Sequence, residues 1–156
     1  MRALFAALML LSSMPANAAF NAVEFFRGKT HGEGKLKVAL QPVKTVKVDS
    51  FGYQDKDGTL VIKQTVNEPG KPLQHRQWRL REVSSGRYQG TLSDAVGPVR
   101  IEQKGDSIRI RYRSKEHLDF DQVMTPAGPR QVNNRLKVKR LGITVAHMEE
   151  VIRKLD

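Results

Sequence analysis

Between Ser107 and Arg113 every second residue is apolar: Ile108, Ile110 and Tyr112 alternate with Arg109, Arg111 and Arg113. Side chains alternate faces along an extended chain, so this period of two describes a strand with one oily and one solvated side. The pattern recurs in Lys35-Leu36-Lys37-Val38, Val46-Lys47-Val48, Trp78-Arg79-Leu80-Arg81 and Leu136-Lys137-Val138-Lys139. Thr59 to Val66 adds a run rich in β-branched residues, which suit a pleated surface. A chain written this way has to bury the same side of many strands at once.

Turn-forming clusters punctuate the runs at short intervals: Asp55-Lys56-Asp57-Gly58, Glu68-Pro69-Gly70, Ser84-Ser85-Gly86, Lys104-Gly105-Asp106 and Pro126-Ala127-Gly128-Pro129. Short strands joined by tight turns predict an all-β antiparallel meander of eight to ten strands, closed as a barrel or stacked as a sandwich. No stretch between strands is long enough for a crossover helix, which argues against a parallel α/β fold. Two segments read both ways. Phe20 to Phe26 suits a short helix or a plug against one barrel end. Ile143 to Leu155 carries Val145, Met148, Val151, Ile152 and Leu155; composition favours a helix there, while alternation through Ile143, Val145, Val151 and Leu155 permits a bulged strand.

Residues 1–18 have a different grammar. Arg2 is followed by an apolar run from Ala3 to Leu11 and by Ala16-Asn17-Ala18, which predicts a secretory signal peptide cleaved after Ala18. The run is too short to span a bilayer, and no later stretch is apolar enough to do so. Residues 19–156 are then expected to form a single β-barrel domain, exported and periplasmic. The sequence holds no cysteine, so packing and strand pairing must replace disulfides, and thiolate zinc sites and cysteine nucleophiles are excluded. The formal charge of +11 lies almost wholly outside the leader. It attracts polyanions, and for an exported chain lipid headgroups or another anionic envelope component precede nucleic acid among the partners.

Several motifs together resemble a known family. They are Phe25-Phe26-x-Gly28, Trp78-x-Leu80, Gly86-x-Tyr88-x-Gly90, Asp94-x-Val96-Gly97, Phe120-Asp121-x-x-Met124, Asn134-Arg135 and Lys139-Arg140-Leu141-Gly142-Ile143. In order and spacing the chain is similar to the bacterial domain-of-unknown-function family 3833, small proteins of the Gram-negative envelope, over Phe20 to Lys154. The resemblance implies a lipocalin-like (calycin-type) antiparallel barrel and tips the last segment toward a strand. It brings no established activity, no catalytic residues and no cofactor. Relatives that carry a lipoprotein cysteine at the end of the leader differ from this chain, so lipid anchoring is not implied here.

The aromatic and aliphatic residues Trp78, Tyr88, Ile110, Tyr112 and Phe120 are expected to pack the barrel or to wall a cavity for a small apolar molecule or lipid. The wider inward set is Val46, Val48, Leu60, Ile62, Trp78, Leu80, Ile108, Ile110, Tyr112, Phe120, Leu136 and Val138. Outward, Arg79, Arg81, Arg109, Arg111 and Arg113 offer planar forks suited to phosphate or carboxylate. A local alternative satisfies three of them without a ligand. If Ser114-Lys115-Glu116 form a three-residue turn, Arg113 opposes His117, Arg111 opposes Asp119 and Arg109 opposes Asp121, with Ile110 meeting Phe120 and Tyr112 meeting Leu118. His117, Asp119 and Asp121 share a strand face, but nothing nearby completes a metal site. His31 and Glu33, within the glycine-rich stretch Gly28 to Gly34, could exchange protons at a barrel mouth. Neither a Gly-x-Ser-x-Gly elbow nor a His-Glu-x-x-His motif occurs.

The expectation is therefore a periplasmic binding or accessory module. Its ligand sits inside the barrel or on the arginine face. The competing roles are a small enzyme acting near His31 and Glu33, and a structural interaction protein of the envelope.

Overall fold

The computed structural model describes residues 20–156; the leader read over residues 1–18 lies outside them. A short helix, α1 (Ala22–Phe26), precedes ten strands: β1 (Gly28–Val38), β2 (Lys44–Gln54), β3 (Leu60–Asn67), β4 (Gln74–Ser84), β5 (Arg87–Leu92), β6 (Ala95–Lys104), β7 (Ser107–Ser114), β8 (Asp119–Pro126), β9 (Gln131–Arg140) and β10 (Ile143–Lys154). Each strand pairs antiparallel with its sequence neighbours. β1 also pairs with β10, from Thr30 opposite Lys154 to Val38 opposite Ala146. The meander is thus a closed barrel rather than a sandwich. Closure pairs the backbone groups that an open sheet leaves at its edges. All five turn clusters fall at junctions between consecutive strands, three of them beginning on the last residue of a strand.

The period of two delivers the interior. Val46, Val48, Leu60, Ile62, Trp78, Leu80, Ile108, Ile110, Tyr112, Leu136 and Val138 are buried, and Phe120 is half-buried against them. Burying one such side chain stabilises by about 1.5–3 kcal/mol, and the ring of strands repeats that gain from every side. One cluster runs from Leu60 and Ile108 to Ile152 and meets α1. A second, around Val46, Val66, Leu136, Val138 and Met148, fills the opposite end.

The helix closes the first end. Asn21 caps it by accepting from the Glu24 N–H at 3.2 Å, and Phe25 and Phe26 are buried edge to face, 5.0 Å between ring centroids. The end of the chain ties this plug down. Lys154 Nζ donates to the Phe25 carbonyl at 3.2 Å and to the Arg27 carbonyl. The Asp156 carboxylate accepts from the Lys29 N–H at 3.0 and 3.1 Å.

Two readings need correction. Ile143 to Leu155 is mostly strand β10, not the helix that composition favours, because partners on both sides, β9 and β1, take up its backbone groups. A register shift between Thr144 and Ala146 resets its phase. The inward residues are Ala146, Met148, Glu150 and Ile152 rather than the Val145 and Val151 set. The β7–β8 turn also lies one residue later than expected. Ser114 and Leu118 close it, with the Ser114 N–H on the Leu118 carbonyl at 2.8 Å. His117, at φ 61°, takes the left-handed position inside it. Arg113 therefore opposes Asp119, Arg111 opposes Asp121, and Tyr112 meets Phe120. A slip of two leaves every side chain on its face, so the inward and outward assignments survive.

Candidate functional site

The barrel encloses a cavity of about 110 Å³. Trp78, Tyr88, Ile110, Tyr112 and Phe120 all border it. Tyr112 organises this wall: its ring stacks on Phe120 at 4.7 Å and stands perpendicular to Trp78 at 5.6 Å.

A belt of polar side chains crosses the interior between the two apolar clusters. It arises where a polar residue takes an inward place between apolar ones: Ser50, Gln64, Gln122, Asn134 and Glu150, with Arg76 two residues before Trp78. Trp78 Nε1 donates to Gln64 Oε1 at 2.6 Å, and Gln64 Nε2 donates to Ser50 Oγ at 3.1 Å. Across the cavity Asn134 Nδ2 donates to Gln122 Oε1 at 3.3 Å and to Glu150 Oε2 at 2.9 Å. Glu150 has room because β1 carries glycine opposite it. A Cβ on Gly32 would stand 2.2 Å from Glu150 Oε1, and one on Gly34 would stand 2.7 Å from Met148 Sδ. The glycine-rich stretch thus clears space for the side chains of β10.

The belt is incompletely satisfied. Tyr112 Oη, Arg76 Nε, Asn134 Oδ1 and Asp94 Oδ1 are buried without a hydrogen-bond partner. Native interiors pair nearly all such atoms, and each orphan costs about 1–3 kcal/mol. Arg76 reaches Asp94 only loosely, at 3.9 Å. Burial pushes the Glu150 carboxyl above its ordinary value; the Asn134 hydrogen bond and the charges of Arg76 and His31 oppose this without cancelling it. Burial likewise pushes the Tyr112 phenol up to about 12, against the pull of the Arg76 charge and of polar contacts with Gln122 and Arg76 that fall short of hydrogen-bond geometry. An arginine and a phenol, each short of a full set of hydrogen bonds, therefore face a mostly apolar chamber whose one carboxyl, Glu150, is raised above its ordinary value by burial.

The outer wall is different. Arg79 donates to Asp55 at 2.8 Å and Arg81 to Asp57 at 2.7 Å. Arg109 holds Asp121 through two bonds of 2.9 and 2.7 Å, and Arg113 holds Asp119 at 2.8 and 3.2 Å. Arg111 reaches Glu102 at 3.3 Å. All five arginines already have a carboxylate. The expected pairing of Arg109 with Asp121 occurs as a diagonal contact, while Arg111 turns to β6 instead of Asp119. Asp119 and Asp121 are committed to arginines, and among the described residues no cluster of His, Asp and Glu is arranged to hold a metal ion.

His31 and Glu33 do come together, at 3.4 Å, but on the outer wall of β1 rather than at a mouth. His31 Nδ1 lies 2.6 Å from Asp49 Oδ1. Both ring nitrogens face carboxylates, which favours the imidazolium, and the Asp49 contact chiefly raises its pKa. A doubly donating imidazolium has no free nitrogen to accept a substrate proton.

The inward polar residues Arg76, Gln122, Asn134 and Glu150 were missed by reading the sequence for aromatic walls and outward charge. Their signal was present: a polar residue two places from apolar inward residues, as in Phe120-x-Gln122-x-Met124 and Met148-x-Glu150-x-Ile152.

Among solved structures, the chain is similar to an S-type phycobiliprotein lyase from Guillardia theta. The TM-score is 0.66 at 7% identity, covering 86% of this chain and 91% of that one. It is also similar to a DUF3598-family protein of unknown function from Nostoc punctiforme, with TM-score 0.66 at 10% identity over 88% of this chain and 50% of that one; this chain thus spans about half the length of that relative. At such identities the likeness shows the fold alone, a lipocalin-like barrel. No curated protein sequence matches the chain. Among the described residues no helix is long and apolar enough to cross a membrane. The match to a protein family runs over residues 8–154, nearly the whole sequence, and the chain belongs to that family, DUF3833, a protein of unknown function.

Proposed function

We propose that this protein is an exported binding module whose barrel holds one small amphipathic molecule. The ligand's apolar part lies against Trp78, Ile110 and Phe120, and its acidic or strongly polar head lies on Arg76 and Tyr112. The observation that carries the reading is the set of polar atoms without a hydrogen-bond partner, Tyr112 Oη, Arg76 Nε and Asn134 Oδ1, around a mostly apolar chamber. A guanidinium and a phenol can share one carboxylate. The lipocalin-like fold supports the reading, since small barrels of this kind either fill themselves or enclose one small ligand. The chamber of about 110 Å³ favours a single ring or short chain. The leader grammar of residues 1–18 supports a periplasmic location, checked by fractionation of the host cell.

Trp78 is the only tryptophan and borders the cavity, so its emission reports occupancy. Titration with hexanoate or octanoate should change that emission saturably, and the matching alcohols should bind roughly tenfold more weakly. Arg76→Gln should weaken the acid by a similar factor, whereas Arg111→Gln on the outer wall should leave it unchanged. The reading fails if neither acid gives a saturable change and native mass spectrometry of protein purified from its host finds no co-purified molecule.

A further inference from the structure

The barrel end opposite α1 carries an apolar rim that the fold does not explain. Leu40 and Leu141 stand at the tips of the β1–β2 and β9–β10 hairpins, 104% and 93% exposed. Val43, Ile143 and, on the next hairpin, Leu73 are each more than half exposed. β9, β10, β1 and β2 are consecutive around the barrel, and the Ala39 N–H bonds the Val145 carbonyl at 2.9 Å. The tips are therefore neighbours at one end.

Backbone conformation makes the two leucines stranger. Leu40 has φ 61° and Leu141 φ 49°, in the left-handed region where a Cβ is crowded and Gly or Asn is favoured. Leu141-Gly142 is a two-residue hairpin connection with both φ values positive, a conformation for which Asn-Gly or Asp-Gly is preferred. Leucine here adds nothing to the core and disfavours the turn, at two separate hairpins.

The two leucine hairpins carry charge of one sign, although Glu68 on the next hairpin and Asp119 on β8 stand near them. Residues 35–48 hold Lys35, Lys37, Lys44 and Lys47 with no Asp or Glu, and residues 135–147 hold Arg135, Lys137, Lys139 and Arg140 with none either. Some of these cations reach carboxylates outside the two stretches: Lys44 to Glu68, Lys47 to Glu33 and Arg135 to Glu149. Among the described residues Lys37, Lys137, Lys139 and Arg140 form no close ion pair, although Lys137 and Lys139 stand opposite Asp121 and Asp119, which are already held by arginines. Apolar tips inside a cationic collar match an anionic bilayer: the leucines enter the acyl boundary while the lysines and arginines meet phosphate.

We propose that this end of the barrel docks on the surface of an anionic phospholipid bilayer, with Leu40 and Leu141 as the inserting residues and Lys37, Lys139 and Arg140 in the collar. The barrel then stands with its plugged end away from the membrane. This inference rests on the hairpin rim and not on the contents of the cavity.

The test is co-sedimentation of the protein with vesicles of phosphatidylcholine alone and of phosphatidylcholine mixed with phosphatidylglycerol. Binding should require the anionic lipid and fall as salt rises. Leu40→Asn and Leu141→Asn place a residue suited to the left-handed region at each tip, so the double variant should melt no lower than the unaltered protein. It should nevertheless bind anionic vesicles about a hundredfold more weakly. Lys139→Gln with Arg140→Gln should lose roughly tenfold or more. Unchanged binding by the folded Leu40→Asn/Leu141→Asn protein overturns the proposal, as does equal binding to neutral vesicles. It is also overturned if sedimentation velocity shows a dimer that the double variant splits while vesicles are ignored, since the rim would then join two copies of this chain.

Discussion

The inner and outer walls of this barrel hold the same kinds of charged residue in opposite circumstances. Outside, Arg109 and Arg113 each grip an aspartate with two hydrogen bonds, and those carboxyls, Asp121 and Asp119, are held below their ordinary value by the arginines. Inside, Arg76 meets Asp94 only at 3.9 Å and keeps an unpartnered Nε, while burial lifts the Glu150 carboxyl. Water screens the outer pairs and makes them worth little. The interior offers no such screening, so an unmet donor there is costly and invites a partner. The conspicuous arginine rows are self-satisfied, and the less conspicuous polar belt is where a ligand has something to gain.

The largest contrast between the walls lies in packing. Ile108 and Arg109 are adjacent in sequence and point to opposite sides, with Ile108 2% exposed. Ile108→Ala should destabilise the protein by about 2–5 kcal/mol in urea unfolding, and Arg109→Ala should leave the midpoint close to that of the unaltered protein. Similar losses from both would erase the distinction.

Titration sharpens it next. Glu150 has a folded-state pKa raised by burial, so the folded state holds its proton more tightly than the unfolded state does. Stability should then fall as pH rises from the ordinary value of 4.5 through the raised one. Glu150→Gln should remove that slope and raise the melting temperature at neutral pH, converging on the unaltered protein in acid. A variant that melts lower at neutral pH would mean that Glu150 serves as a paired anion.

The outer wall should show two smaller dependences. The His31 clip between Asp49 and Glu33 raises the imidazole pKa. Its contribution is complete below the ordinary 6.5 and is lost as pH rises through the raised value. His31→Gln should flatten melting temperature against pH in that window alone. Asp119 and Asp121 have the opposite sign: their contribution exists above 3.8 and disappears as pH falls through the lowered values. Asp121→Asn should give the smallest shift of the series, and added salt should shrink it further. A salt-resistant loss at Asp121 would show that the outer pairs are not merely solvated.

Much of the barrel was legible because strand patterning is local. The alternation in Ser107 to Arg113 fixes the faces of β7 whatever its partners, and the turn clusters fix where the chain reverses. Interior membership followed for Trp78, Tyr112 and Leu136. Register was less legible: moving the β7–β8 turn by one residue shifts each β8 residue by two against its partner, and the hydrophobic pattern is blind to a shift of two. The β10 phase was hidden for a related reason, since the irregularity near Thr144 moves Glu150 inward and Val151 outward. The site suffered most. Arg76, Gln122, Asn134 and Glu150 come from four strands, and each alone resembles an ordinary polar residue.

The sequence by itself determined an all-β antiparallel meander, its oily and solvated faces, and an excess of positive charge, because period, turn chemistry and composition act within a few residues. Tertiary structure decided that β1 meets β10, that five outward arginines each find a carboxylate, and that a polar belt crosses the lumen with donors left over. Those outcomes depend on which strands become neighbours, and adjacency in a closed barrel is settled only when all ten strands have paired.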